Sequence, residues 1–134
     1  MSKSALYVTG VLALLAQGAA AQVVDCNISQ RSWGGLVTEW YTFEVDADRG
    51  RVLVSDPTIR FVSQKPVKSE VVTLTDETIH VTWDVKKLPS PLGDEQRGGR
   101  FEAEIERGEN RIKVTARYSD DADGGTGKGI CFPK

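Results

Sequence analysis

The chain contains few of the residues that build most catalytic and metal centres. It has one histidine, His80, and two cysteines among 134 residues. No HExxH pair and no serine in a nucleophile elbow occur, so a catalytic histidine would have neither a nucleophile nor metal partners. The sequence therefore predicts a protein that is not an enzyme and needs no cofactor. We interpret His80 as an ordinary surface residue.

A strong charge of either sign is also missing. The 17 basic and 19 acidic side chains give a formal net charge of −2. A general nucleic-acid binder needs a basic face that displaces counterions from phosphates, and an anchor on an anionic membrane needs a run of basic residues. Neither nucleic acid nor a membrane surface is therefore an expected partner.

Long apolar runs are absent after the first segment of the chain. A basic start is followed by an apolar stretch from Ala5 to Ala16 and then by Ala19-Ala20-Ala21. This order is typical of a secretory signal peptide, and the stretch is too short to span a bilayer. We expect residues 1–21 to be cleaved, and residues 22–134 to form one periplasmic or extracellular domain. An uncleaved anchor is the alternative.

The two cysteines, Cys26 and Cys131, lie near the two ends of the predicted mature chain. In an exported protein an even cysteine count indicates a disulfide, and two cysteines allow a single pairing. A Cys26–Cys131 bond would enclose nearly the whole domain. The competing hypothesis is a lipidated Cys26, but Asp25 precedes it where such signals have a small residue.

The clearest structural signal is the alternation within residues 78–86. Ile79, Val81, Trp83 and Val85 fall on one side, and polar residues fall on the other. A period of two is the pattern of a strand with one buried face. This strand is predicted to lie in the middle of the domain.

Three hairpins can be predicted together with their register. The one that joins 70–75 to the strand at 78–86 pairs Leu74 with Ile79 and Val72 with Val81. A loop over 47–50 pairs apolar with apolar and acidic with basic residues, as cross-strand pairing favours. In another hairpin, a type II′ turn with Gly108-Glu109 at its centre likewise pairs apolar with apolar and acidic with basic residues. The predicted pairs are Val45 with Val52, Phe43 with Val54, Asp46 with Arg51, Ile105 with Ile112, Ala103 with Val114, Phe101 with Ala116, Glu106 with Arg111 and Glu104 with Lys113.

About eight strands predict an all-β fold, a single antiparallel up-and-down meander that closes into a barrel. The remaining strands are predicted at 37–46, 51–55, 58–63, 70–75 and 127–132, with Ile59, Phe61 and Val72 facing inward and with residues 25–32 irregular. A two-sheet β-sandwich is the alternative, reached if the long connection at 87–99 takes the chain across.

The predicted architecture resembles the small periplasmic barrels that inhibit proteases or lysozymes, and also the lipocalin and avidin-like ligand barrels. The resemblance is one of length, leader, disulfide and strand pattern. The Gly-x-Trp motif of lipocalins is absent, because the order here is Trp33-Gly34-Gly35. No functional residue is therefore transferred from these families.

Two stretches contain candidate binding residues. Trp33, Trp40 and Tyr41 lie close together near a glycine-rich bend, and aromatic side chains provide a large contact area at low entropy cost. Leu88 and Leu92 lie in the irregular connection 88–98, where neighbouring prolines restrict the backbone. Either stretch can form a surface for a ligand or partner.

The acidic loop that follows Ser119 is a weak calcium candidate through Asp121 and Asp123. Oxygen ligands at alternate positions before a glycine are typical of the start of a calcium loop. Position twelve of such a loop needs a glutamate, and Ile130 is found there instead. A solvated turn is the preferred interpretation, so no metal ion is expected.

Two functional hypotheses from different classes follow. The first is a monomeric, non-catalytic binding module of the cell envelope that holds a small apolar molecule or a glycan, and it predicts a hollow interior. The second is a secreted inhibitor or protein–protein interaction domain that acts through the 88–98 loop. It predicts a filled interior and an ordered, projecting loop.

Overall fold

The computed structural model describes residues 21–33, 35–88 and 97–134. Residues 1–20 of the predicted signal peptide lie outside them. The strands are β1 (Gln22–Arg31), β2 (Trp40–Asp46), β3 (Arg51–Ser55), β4 (Val67–Lys68), β5 (Glu70–Leu74), β6 (Thr78–Val85), β7 (Gly99–Glu106), β8 (Arg111–Tyr118) and β9 (Asp123–Pro133), and one helix, α1 (Pro57–Val62), follows β3. Within the described part of the chain, none of the helical structure has the length and apolar character of a membrane span.

The nine strands form one antiparallel sheet in the order β4-β3-β2-β1-β9-β8-β7-β6-β5. Because β1 pairs with both β2 and β9, the meander curls round until its first and last strands meet. One seam of this nearly closed barrel is unsealed, between β3 and β5. There the Ser69 N–H and hydroxyl both donate to the carbonyl oxygen of Val52, at 3.1 and 2.7 Å. The predicted up-and-down all-β barrel is confirmed, and the sandwich is not adopted.

The register of the hairpins at 47–50 and 107–110 is confirmed, pair by pair. Each hairpin closes through a four-residue loop, 47–50 or 107–110, and the last residue of each loop has a positive φ. Gly50 has a φ of 61° and Asn110 a φ of 53°. The type II′ turn predicted for the second hairpin is therefore wrong, since the left-handed residue is Asn110 and not Gly108.

Cys26 and Cys131 occupy directly opposed positions on β1 and β9, with their Cα atoms 4.0 Å apart, and they form a disulfide. Both side chains are buried. The predicted pairing is confirmed, and the bond joins the first strand of the barrel to the last.

Four aromatic rings meet inside the barrel. Trp83 stacks on Phe101 with ring centroids 5.5 Å apart, and its edge-on contacts with Tyr41 and Phe43 span 5.8 and 6.2 Å. All four side chains are buried, as are the inward residues of β6 and β7 around them. Side chains therefore fill this part of the interior.

The inward side of β9 is built from glycine so that neighbouring segments can pack against its backbone. A Cβ atom on Gly127 would lie 2.6 Å from a methyl group of Val37 and 2.9 Å from one of Ile28. Both distances are too short for real contacts. The missing side chains on β9 thus leave room that Val37 and Ile28 occupy, and the interior is filled on this side too.

The strand predicted at 58–63 is wrong, because this segment forms α1. The buried carboxylate of Asp56 accepts a hydrogen bond from the Ile59 N–H at 2.7 Å, and Pro57 takes the first helical position. An N-cap followed by proline is a typical helix start. Ile59 points into the core as predicted, but Phe61 is 77% exposed.

Two further predictions on the strands are wrong. Leu74 is opposite Ile79 as predicted, but a β-bulge between Val71 and Thr73 places Val71 and not Val72 opposite Val81, so Val72 points outward and is 57% exposed. Residues 25–32, predicted to be irregular, belong mostly to β1. Alternate residues of β1, among them Cys26 and Ile28, face the core, while the polar residues between them face solvent.

Candidate functional site

The two ends of the barrel differ in the connections that they contain. Short loops at 47–50, 75–77 and 107–110 join strands at one end. The opposite end contains the β1–β2 connection, α1, the described ends of the long β6–β7 connection and the 119–122 turn, and we call it the loop end. Binding residues in proteins concentrate on loops held by a rigid scaffold, so the loop end is the first candidate surface.

Two aromatic side chains at the loop end point into solvent. Trp33 is 100% exposed, and Phe61 of α1 is 77% exposed. Backbone bonds to β9 hold the chain on both sides of Trp33: Ser32 N–H donates to Thr126 at 2.9 Å, and Leu36 N–H donates to Gly124 at 2.6 Å. The residues on both sides of Trp33 are therefore fixed to β9, and the Trp33 ring projects from them into solvent.

The base of the predicted 88–98 loop is also anchored. Leu88 N–H donates to the Arg97 carbonyl at 2.8 Å, which joins the two sides of the loop. The Arg97 guanidinium lies 2.9 Å from both carboxylate oxygens of Asp120 and 3.8 Å above the centre of the Tyr118 ring. This contact with Arg97 lowers the pKa of Asp120.

Leu88 is not available as the exposed anchor that the sequence suggested. Its side chain is buried and packs near Gly99 and Phe101, where it helps to fill the loop end of the barrel. An apolar residue directly after a buried strand continues the core more readily than it faces water. Leu92, the other candidate in this loop, lies outside the described residues.

The three aromatic residues predicted as one cluster face three different environments. Trp33 is on the loop end, Trp40 is half-buried on the outer wall, and Tyr41 is inside the barrel. The Tyr41 hydroxyl accepts a hydrogen bond from the Thr38 N–H at 3.1 Å, and burial raises the pKa of Tyr41 to about 12. Tyr41 is therefore a core residue and is not exposed on the outer surface.

The outer wall over β1 contains a groove that sequence reasoning missed. Trp40 on β2 and Phe132 on β9 flank it, and Asp25 and Asn27 on β1 form its floor. Lys134 Nζ lies 2.8 Å from a carboxylate oxygen of Asp25, and Phe132 is 52% exposed. We call these five residues the outer groove. The signal was present, because Phe132 must face outward once Cys131 faces inward.

The calcium candidate gains no support from the geometry. The Asp123 carboxylate accepts a hydrogen bond from Gly125 N–H at 2.8 Å, as in an ordinary Asx turn, and the neighbouring Asp120 is paired with Arg97. Asp121 is exposed and has a positive φ of 66°. The Asp120 and Asp123 side chains stabilise the turn that the sequence favoured.

One group of potential metal ligands does come together in the described part of the chain, on the outer wall. His80 of β6 and Glu102 and Glu104 of β7 each offer a ligand atom, and these atoms lie within 4.8 Å of one another. Pairing of β6 with β7 creates the group, so the sequence order alone did not indicate it.

No protein-family model matches the chain, and no curated protein or solved structure matches it either. The loop end, the outer groove and the His80 group are therefore the features on which a functional interpretation depends.

Proposed function

We propose that this protein is an exported, non-catalytic interaction module that binds another macromolecule through its loop end. The observation that supports this most is the exposure of Trp33 and Phe61 on connections fixed to a rigid barrel. Leaving two large aromatic rings in water is unfavourable, and such rings are enriched among the residues that dominate binding energy at protein interfaces.

The filled interior favours an external binding surface. A small apolar ligand needs a concave pocket that buries most of its surface. Inside this barrel Trp83 and its three aromatic neighbours take that space. A ligand held between the sheet faces is therefore a weaker hypothesis than a partner bound outside.

Export is supported by two features of the chain. The first 21 residues have the order of a secretory leader. The Cys26–Cys131 disulfide is compatible with an oxidising compartment, where such bonds persist. The proposed partner is accordingly a molecule of the cell envelope or the extracellular space.

A second candidate function, glycan binding, is favoured by the outer groove. Trp40 and Phe132 can stack on the apolar faces of sugar rings, while the Asp25 and Asn27 side chains can hydrogen-bond to hydroxyl groups. A few polar groups between apolar walls is the usual composition of a ligand site. In this candidate the ligand is a glycan, one of the two classes expected from the sequence, but it binds to the outer wall and not inside the barrel.

The test is affinity capture from the envelope and secreted fractions of the producing organism, followed by measurement of affinity for any partner recovered. The decisive variant is Trp33→Ala/Phe61→Ala, which removes exposed rings and should leave the fold intact. Val72→Ala is the matched control, since Val72 is an exposed apolar residue on the wall of β5. Loss of two interface anchors should weaken binding about 30-fold or more, and the control should bind like the wild type.

The same assay distinguishes the two candidates. If binding survives Trp33→Ala/Phe61→Ala but is lost in Trp40→Ala/Phe132→Ala, and the ligand recovered is a glycan, the outer groove is the site and the loop-end proposal is wrong. Equal binding by all variants would contradict both candidates.

A further inference from the structure

The outer wall of β6 and β7 brings one imidazole and two carboxylates to a single point. His80 Nε2 lies 2.7 Å from Glu102 Oε2 and 3.8 Å from Glu104 Oε1. We propose that His80, Glu102 and Glu104 form a binding site for a divalent transition-metal ion, with Zn²⁺ as the ion that it fits best. The site lies on the barrel wall and is independent of the proposed partner surface.

Strand pairing fixes this arrangement. Glu104 is directly opposite His80, and Glu102 is opposite the next outward residue of β6, Thr82. The two carboxylates therefore approach the same nitrogen from neighbouring positions of one strand. The His80 side chain is only 20% exposed, so its ring is held between adjacent strands rather than free in solvent. A ligand that is already ordered loses less entropy when it binds a metal ion.

Among the described residues, the two carboxylates have no lysine or arginine as an ion-pair partner. In the part of the chain that the structure describes, neither Glu102 nor Glu104 lies within 4 Å of a lysine or arginine nitrogen. Lys113 is opposite Glu104 in the sheet, as predicted, yet the two side chains form no ion pair at that distance. Two other acidic residues of this wall, Asp84 and Glu70, differ, since both pair with Arg100.

The ligand set suits zinc better than calcium or magnesium. Imidazole nitrogen is a preferred ligand of Zn²⁺, Cu²⁺ and Ni²⁺, whereas Ca²⁺ and Mg²⁺ select oxygen alone. Three protein ligands with a water in the fourth position form an open zinc site. Zinc bonds of about 2.0–2.2 Å place neighbouring ligand atoms roughly 3.3–3.6 Å apart, so small rotations of the two glutamate side chains would suffice.

The alternative is an ordinary histidine–glutamate ion pair on a wet surface, and the test separates the two. Chelator-treated mature protein without a polyhistidine tag is titrated with ZnCl₂ in a calorimeter, with CaCl₂ and MgCl₂ as comparison ions. The variants are His80→Ala, Glu102→Gln and Glu104→Gln. Glu106→Gln is the matched control, because Glu106 lies on the same strand and face but is opposite Thr78 of β6 and contributes no atom to the group.

The proposal predicts one Zn²⁺ per chain and little heat with the comparison ions. Each of the three variants should weaken Zn²⁺ binding about tenfold or more, and the control should change it less than about twofold. Co²⁺ should give visible absorption of a protein-bound ion, and His80→Ala should remove it. The three glutamates are exposed and His80 lies on the outer wall, so circular dichroism of each variant should match the wild type.

Three outcomes would overturn the proposal. The first is the absence of saturable Zn²⁺ binding by the wild type. The second is an equal loss of affinity in Glu106→Gln, which would indicate a diffuse acidic surface. The third is unchanged binding in His80→Ala, which would place the ion elsewhere on the chain.

Discussion

At the scale of single residues, Trp83 is the side chain whose loss should damage the fold most. Its ring stacks on Phe101 with an interplanar angle of 8° and contacts two further aromatic rings. Trp83→Ala would remove this centre and leave a cavity that the rigid barrel cannot fill. We expect the free energy of unfolding, measured by urea denaturation, to fall by about 3–5 kcal/mol.

The matched control for Trp83→Ala is Thr82→Ala, one position away on the same strand. Thr82 points outward, so its truncation should change the free energy of unfolding by less than about 0.5 kcal/mol. Similar losses in the two variants would show that the inward and outward faces of β6 were assigned the wrong way round.

Periodicity proved a better guide to a residue's surroundings than proximity in the chain. Tyr41 is in phase with Phe43 and Val45, which predicts the core, but its neighbours Trp33 and Trp40 suggested an aromatic cluster. The structure follows the phase and buries Tyr41 completely. A strand directs successive side chains to opposite faces, so the side chains of residues 40 and 41 point in opposite directions.

The His80 site could not be predicted in the same way. Its geometry depends on the register of β6 against β7, and a long connection joins these strands. Turn type and loop length fix register in short hairpins, and they give no such constraint here. The sequence located His80 and Glu104 on outward faces without indicating that they meet.

At the scale of elements, α1 depends on one buried carboxylate. Asp56 accepts hydrogen bonds from the Ile59 N–H and the Thr38 hydroxyl, each at 2.7 Å. Asp56→Ala should lower the free energy of unfolding by about 0.5–2 kcal/mol, the usual range for loss of an N-cap. Asp56→Asn should lose less at neutral pH, because asparagine caps helices about as well and has no charge to bury.

The pH dependence of the free energy of unfolding, compared between the wild type and Asp56→Asn, gives a second test of the Asp56 environment. Burial raises the pKa of Asp56 above its ordinary value of 3.8. Between that value and the raised pKa, the folded state binds more protons than the unfolded state, so stability falls as the pH rises. The wild type should therefore gain stability relative to Asp56→Asn as the pH is lowered through this window.

The difference between the two proteins is the quantity to measure, by urea denaturation at a series of pH values. Asp25 has a pKa lowered by its contact with Lys134 and gives the opposite trend, but it is present in both proteins and cancels. A difference in free energy that does not depend on pH would contradict the proposed burial of charge at Asp56.

The elements that the sequence predicted well are those fixed by short-range pairing. The register of the β7–β8 hairpin was predicted to the residue, though not its turn type, because alternation and charge pairing select the same register. The helix α1 was missed because six residues are too few to show a helical period. Asp56-Pro57 starts a helix as readily as a turn. Interpreting it as a turn before a strand led to the wrong prediction that Phe61 faces the core.

At the scale of the whole molecule, the barrel closes at two places of unequal strength. Strands β1 and β9 pair along most of their length and share the disulfide, whereas β3 and β5 meet only through Ser69 and a few neighbours. The cysteine spacing predicted the first closure. The second depends on the bend between β4 and β5 and on the bulge at Val71–Thr73, which local sequence patterns did not reveal.

The disulfide should stabilise the molecule mainly through its unfolded state. Cys26 and Cys131 are separated by 105 residues, yet they lie on strands that the backbone ladder already holds together. Removing the bond should therefore leave the folded barrel and its circular dichroism unchanged. Chain entropy for a loop of this size predicts a loss of about 4–5 kcal/mol in the free energy of unfolding.

The measurement is urea denaturation of Cys26→Ser/Cys131→Ser beside the wild type, each with and without reductant. The reduced wild type and the double variant should unfold at the same, lower urea concentration. The slope of free energy against urea should be steeper for both, because an unlinked unfolded chain exposes more surface. Reductant should have no effect on the double variant, which is the control. A wild-type midpoint that reductant does not shift would mean that pairing of β1 with β9, and not the covalent bond, limits the opening of the barrel.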